Sequence, residues 1–333
     1  MIQKLWTAAF AALLLLTAAT TCEAADHTVK PQFLRIITGP KGGQWHKMGE
    51  VMAKVLTEDV LAATSRVGGG VTNINAVNNK QADMALTLAS FLGAARSGEA
   101  EYQTIQAQNV AVLANLFPQA LYILIRRNVA EANGITSLGT LLRQKIPLRF
   151  ASLKPGTASE FVLYLLLKYG YDTDFIKLRD QGWDVSFHNL TQIVENFMTE
   201  KLDCFAYVAA GPYGALSPIM EKHANMLALP VEQSVLDLME QKFGTTTHVI
   251  TPARYAFVSA PVRTLGDYTS LIVSADFPED TVYSITKTLW SNKDKIASTV
   301  KDFGTLSPKT ASPKGLPVHP GALKFWQSLA DEK

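Results

Sequence analysis

Four times in this chain a short β-rich run stops at a turn rich in glycine, serine, threonine or asparagine, and a helix begins beyond it. The first instance sets the pattern. Leu34-Arg35-Ile36-Ile37-Thr38 reads as a strand and Gly39 stops it; Trp45, Met48, Val51, Met52 and Val55 then recur at three and four residues. The second runs from Ser65-Arg66-Val67 through Gly68-Gly69-Gly70 to Val71-Thr72-Asn73. The third carries the strand Leu148 to Ser152 through Lys154-Pro155-Gly156-Thr157 into an apolar helix from Ala158 to Tyr169. In the fourth, the strand Asp203 to Val208 meets Ala209-Ala210-Gly211-Pro212-Tyr213. Alternation of this kind specifies an α/β fold. Ligands of open α/β sheets sit outside the carboxyl ends of the strands, so two such sheets facing one another would pool the four turns into one cleft.

The chemistry of these turns favours a small anionic or zwitterionic ligand. A strand feeding a helix through Gly39-Pro40-Lys41-Gly42-Gly43 leaves backbone N–H groups unpaired where the helix dipole adds positive charge. N–H groups at Gly42-Gly43 and Thr157-Ala158 are candidates to hold carboxylate oxygens. Gln44, Asn73, Ser90, Thr157 and Ser159 would orient the rest of the ligand. Trp45 and Tyr213, the latter beside Gly211, would wall the cleft. Removing the side chain of Asn73 or Thr157 is expected to weaken binding without unfolding. Plainer roles stand beside these: Trp45 as a core anchor, Asn73 as a helix cap, glycine turns as punctuation. The loop is neither a Walker loop nor GxGxxG, so nucleotide is not the implied anion. Arg126 and Arg127 end a β-rich run that Phe117-Pro118-Gln119 breaks in two; they are candidates to neutralise a carboxylate but read rather as solvated surface, and Arg254 is open to the same role or to a structural ion pair.

Residues 1–24 have the features of a secretory leader. Lys4 gives the positive start, Phe10 to Leu16 the apolar stretch, and Cys22-Glu23-Ala24 the small residues of the cleavage site. The apolar stretch is too short to span a bilayer. Cleavage leaves Cys204 alone, so no internal disulfide is expected, and an exported chain with one thiol points to a bacterial periplasm. A remainder of about 300 residues points to two domains. The formal net charge is +2, with no basic stripe for nucleic acid and no basic helix for a membrane surface. His27, His46, His188, His223, His248 and His319 show no metal-ligand spacing, and there is no GxSxG elbow. Cys204 lies mid-strand as an inert core thiol, and His319 sits in a capping turn. Neither catalysis, a metal nor a cofactor is expected.

Further segments complete a pattern. They are Ile37-Thr38-Gly39 with Gly42-Gly43-Gln44-Trp45, Gly69-Gly70-Val71-Thr72-Asn73, and Gln81-Ala82-Asp83-Met84-Ala85-Leu86. Lys154-Pro155-Gly156-Thr157 follows, then Leu202-Asp203-Cys204-Phe205 with Gly211-Pro212. Last come Ile250-Thr251-Pro252-Ala253-Arg254-Tyr255 and Val318-His319-Pro320-Gly321-Ala322. In order and spacing these resemble the TAXI type of substrate-binding protein, the extracytoplasmic receptor of a subset of TRAP (tripartite ATP-independent periplasmic) transporters. The resemblance covers nearly the whole mature chain. It implies a type II periplasmic-binding-protein fold: two α/β lobes joined by crossing strands and closing on ligand like a hinge. Lobe I would comprise 25–118 and 263–333 and lobe II 119–262, with the hinge near Phe117 to Tyr122 and Ser259 to Asp267. A monomer is expected, served by a permease with a small and a large membrane subunit and driven by an ion gradient. The implied ligand is an amino acid such as glutamate or glutamine, or a dicarboxylate such as 2-oxoglutarate. Two departures fall where the ligand should sit. Leu88-Ala89-Ser90-Phe91 replaces a Gln-Ser-Asp-like run, which would make the pocket more apolar at Phe91, and Lys154-Pro155 replaces a Gly-Ser pair. The same cleft would also serve a sensing receptor docked on a signalling kinase.

Overall fold

The computed structural model describes residues 33–39, 41–99, 107–144, 146–210, 225–252, 255 and 257–331. The leader, Arg254, Gly211 and Tyr213 lie outside them. The chain opens with three β/α units: β1 (Leu34–Ile37), α1 (Gln44–Asp59), β2 (Ala63–Arg66), α2 (Gly70–Asn78), β3 (Met84–Leu88) and α3 (Ala89–Ser97). The long strand β4 (Val110–Arg126) follows, then α4 (Arg127–Ala132) and α5 (Leu138–Gln144). A second β/α series is β5 (Arg149–Leu153), α6 (Ala158–Leu165) with a π turn over Leu166–Gly170, α7 (Phe175–Asp180), β6 (Asp184–His188), α8 (Leu190–Met198) and β7 (Cys204–Ala209). Then come β8 (Met226–Ala228), α9 (Gln233–Phe243), β9 (Thr246–Ile250) and β10 (Val262–Ser274). The chain finishes with α10 (Glu279–Ser291), α11 (Lys293–Thr299), a 3-10 turn over Lys301–Thr305, α12 (Pro308–Ala311) and α13 (Pro320–Asp331).

All ten strands join one mixed sheet, ordered β2-β1-β3-β10-β4-β7-β5-β6, with β8 on β4 and β9 on β10. β1 lies parallel to β2 and β3, and β5 lies parallel to β6 and β7. Between these parallel halves run β10 and β4, antiparallel to each other and long enough to serve both. The expected fold class, two α/β halves joined through crossing strands, is the class found.

Phe117-Pro118-Gln119 does not break the run. β4 passes straight through it, pairing Phe117 with Thr269, Pro118 with Tyr268 and Gln119 with Asp267. Proline brings no N–H to a ladder and is tolerated at irregularities. Here the register shifts between Thr269 and Ser270, opposite Leu116, two residues before Pro118.

Alternation along β4 assigns the cores to faces. Leu121, Ile123 and Ile125 enter one cluster that spans both halves, from Ile74, Phe91 and Leu92 to Phe161, Leu166, Met239 and Phe243. The residues between them face the other side, where the core is split. One part gathers Leu34, Met48, Met52 and Leu56 with Leu113, Leu116 and Phe117 of β4. The other gathers Ile193, Phe197, Phe205 and Tyr255 with Ala120, Tyr122 and Leu124. Gln119 lies in the gap between the two parts. No helix among the described residues is long and apolar enough to cross a membrane.

Candidate functional site

That gap opens into a cavity of about 770 Å³. Its walls come from the start of α1 (Gly43, Gln44, Trp45, Lys47), the end of β3 (Leu88), the middle of β4 (Gln119) and the end of β5 (Leu153). The start of α6 (Thr157, Ala158, Ser159), the end of β7 (Tyr207 to Ala210) and Thr299 to Asp302 complete them. The first and third glycine turns thus converge with the end of β7, as the carboxyl ends of strands in two facing halves should.

The α1 turn is built for close approach. Gly42 has φ +82°, and a Cβ at Gly39 would stand 2.8 Å from Cβ of Trp45. Gly43 is the N-cap and makes no side-chain cap hydrogen bond, so the first N–H groups of α1 are left for another acceptor. Gln44 reaches across to donate from Nε2 to Asp302 Oδ2 at 2.5 Å. Trp45 lines the cavity, packs against the core, and donates from Nε1 to Thr269 Oγ1 at 3.2 Å.

Thr157 caps α6 in the ordinary way. Its Oγ1 accepts from Glu160 N at 3.4 Å and donates to Lys154 O at 2.8 Å, while Gly156 takes φ +82°. The hydroxyl is therefore spent locally, and what Thr157 offers the cavity is chiefly backbone. Ser159 is 2% exposed and accepts from Val208 N at 2.9 Å, pinning α6 to β7.

Three expected contacts are not brought to the cavity. Asn73 is fully buried: Nδ2 donates to Thr38 O and Leu86 O, each at 2.6 Å, and Oδ1 accepts from Gly69 N at 3.0 Å. It bolts α2 to β1 and β3. Ser90 donates to the buried Asp267 at 2.5 Å, and burial pushes that carboxyl up to about 6 against its hydrogen bonds from Ser90 and Tyr268. Gly42 sits in the turn without lining the cavity. Phe91 also turns away, its ring centroid 4.4 Å from that of Phe161 in the shared core, so it does not make the pocket apolar.

The arginines divide. Arg126 is 7% exposed, not solvated: Nε donates to Leu202 O at 2.7 Å, Nη2 donates to Phe197 O, and the guanidinium lies over the Phe197 ring. It closes the end of α8 against β7, and neither it nor Arg127 lines the cavity. His319 accepts from Gly321 N on Nδ1 and so donates from Nε2 to Phe277 O, the capping role expected of it.

The sequence reading missed Lys47, Gln119, Tyr207 and the run Thr299 to Asp302. Asp302 is 258 residues from its partner Gln44, and nothing local marks it. Burial raises its carboxyl above the ordinary range, against the hydrogen bond from Gln44.

Residues 36–328 match the NMT1-like family. The chain belongs to that family. Among solved structures it is similar to XAC2383 from Xanthomonas citri bound to ATP, with TM-score 0.51 and 10% identity over 90% of this chain and 96% of that one. The same protein bound to chloride ion matches with TM-score 0.50 and 10% identity over 90% and 97%. MatC from Rhodopseudomonas palustris with bound malate gives TM-score 0.49 and 15% identity over 91% and 97%. At this identity the XAC2383 likeness establishes a shared fold.

Proposed function

We propose that this NMT1-like protein is a periplasmic solute receptor of the TAXI type, holding a small organic carboxylate in the central cleft and delivering it to an ion-gradient-driven TRAP membrane permease. The observation that carries the reading is the meeting of two helix N-termini, α1 and α6, at one cavity of about 770 Å³ between the halves of the sheet. Small-molecule sites run to roughly 300–1,000 Å³ with a few convergent polar groups, and this cavity has that size and character. Lys47 and Lys301 on its walls favour a ligand of net negative charge. The proposed lobes are 25–118 with 263–333, and 119–262. They close by bending at β4 and β10, which desolvates the ligand and strengthens its hydrogen bonds.

A thermal-shift screen of the chain lacking residues 1–24, against carboxylates and amino acids, tests the reading. Ligand at a thousandfold its Kd adds about 4 kcal/mol, so the midpoint should rise by several degrees. A screen that stays flat while native mass spectrometry finds the protein empty would refute it.

A further inference from the structure

One wall of the cavity carries a carboxylate that the protein satisfies only in part. Asp302 is 5% exposed, and its Oδ2 accepts from Gln44 Nε2 at 2.5 Å. Its Oδ1 has no hydrogen-bond partner among the described residues. Gln119, 8% exposed on β4, uses one amide end on Thr269 Oγ1 at 2.8 Å and has the other end unpaired among them. Both side chains line the cavity. Backbone N–H groups collect at the starts of α1 and α6, and Gln44, the first residue of α1, holds Asp302 beside the former. The cavity therefore sets a carboxylate acceptor close to backbone donors.

We propose that Asp302 is the specificity-determining residue of this cleft, receiving the ammonium group of a zwitterionic amino-carboxylate whose carboxylate lies at the helix starts. The inference rests on the reading of the cleft as a carboxylate site and narrows its ligand. A ligand with acceptors alone would leave Asp302 facing like charge in a closed, poorly hydrated space, which is costly. An ammonium supplies a counter-charge and has three donors, one for Oδ1 and others for acceptors elsewhere on the cavity wall. Gln44 then has a second duty: its hydrogen bond fixes the carboxylate so that Oδ1 remains available. Lys47 lies on the same walls and balances a further negative group on the ligand.

The test uses pairs of compounds that differ only in an amino or a keto group at C2: L-glutamate and 2-oxoglutarate, L-alanine and pyruvate, L-phenylalanine and phenylpyruvate. Each is titrated calorimetrically into the purified exported protein. In the pair that fits the cavity, the amino member is expected to bind about a hundredfold more tightly, since a site with an unpaired buried charge rejects an analogue that cannot pair it. Asp302→Asn should cut that preference at least about tenfold, with keto-acid affinity not reduced. Equal or tighter keto-acid binding by the unaltered protein would overturn the inference while leaving a carboxylate cleft standing. Binding by neither member of any pair, nor by any other small carboxylate, would remove both. The comparison on unaltered protein needs no variant, so a poorly folded Asp302→Asn does not rescue the proposal.

Discussion

Asn73 shows how a residue chosen for its exposed chemistry can turn out to be structural. Its amide answers three backbone groups from three segments, Thr38 O, Leu86 O and Gly69 N. The first two are carbonyls just beyond the last β1–β3 pair, Ile37 with Ala85: Thr38 follows β1, and Leu86 lies mid-way along β3. A buried carbonyl or N–H left unpaired costs about 1–3 kcal/mol. Asn73→Ala is therefore expected to lower stability by roughly 3 kcal/mol and the thermal midpoint by roughly 5–10 °C, with ligand affinity unchanged in the protein that stays folded. Thermal unfolding together with a binding titration below the midpoint checks this. Lost affinity at full stability would restore Asn73 to the pocket. Arg126 teaches the same lesson with a charge. A cation at the end of an apolar strand reads as surface, yet the Phe197 carbonyl at the end of α8, the Leu202 carbonyl before β7 and the Phe197 ring make it a buried fixture.

At the scale of elements, α3 follows β3 with no turn between them, and Leu88 in the N-cap position makes no side-chain cap hydrogen bond. The cap comes from another strand: Asp267 of β10 accepts from Ser90 N at 3.3 Å and Ser90 Oγ at 2.5 Å. Burial holds this carboxyl at about 6, whereas an unfolded aspartate titrates near 3.8. Between those values the folded protein binds more protons, so this group's contribution is full below the unfolded value and falls as pH rises through about 6. Glu99, Asp203 and Glu232 are shifted downward and act with the opposite sign, so only a comparison isolates Asp267. In urea unfolding, the stability of Asp267→Asn relative to the unaltered protein is expected to rise by roughly 2–3 kcal/mol from pH 4 to pH 6. Parallel curves would refute the assignment. The capping link explains what was legible in the sequence. Glycine turns announced β1-α1, β2-α2 and β5-α6, because each turn is a local event. The helix α3 was not announced, because its cap lies 177 residues away. Asp302 was invisible for the same reason, and the insertion of β10 between β3 and β4 is a long-range pairing that no local pattern encodes.

For the whole molecule, the division of the core limits how the proposed lobes can move. On one face a single apolar cluster runs across both halves, and α3 lies so close to α9 that a Cβ at Gly93 would stand 2.5 Å from the Phe243 carbonyl oxygen. Glu99, just past α3, takes Lys242 of α9 at 2.8 Å and the Tyr169 hydroxyl of the π turn. Opening this face would expose packed apolar surface and break those bonds. On the other face the two core parts are separated by the cavity, so motion there costs far less. Closure should therefore pivot on the α3–α9 side and narrow the cavity mouth. Val67, just beyond β2, and Lys154, just beyond β5, are both exposed and stand on opposite halves. Ser97 of α3 and Gln241 of α9 are exposed on the pivot side. Cys204 is buried, with its thiol pushed up by burial, so spin labels will attach at cysteines introduced in these positions. With a bound carboxylate the 67–154 distance is expected to shorten while 97–241 holds. Equal change in both pairs would move the pivot elsewhere. No change in either would mean that the cleft binds without closing, and a permease would then have to recognise the ligand or the lip rather than a closed shape.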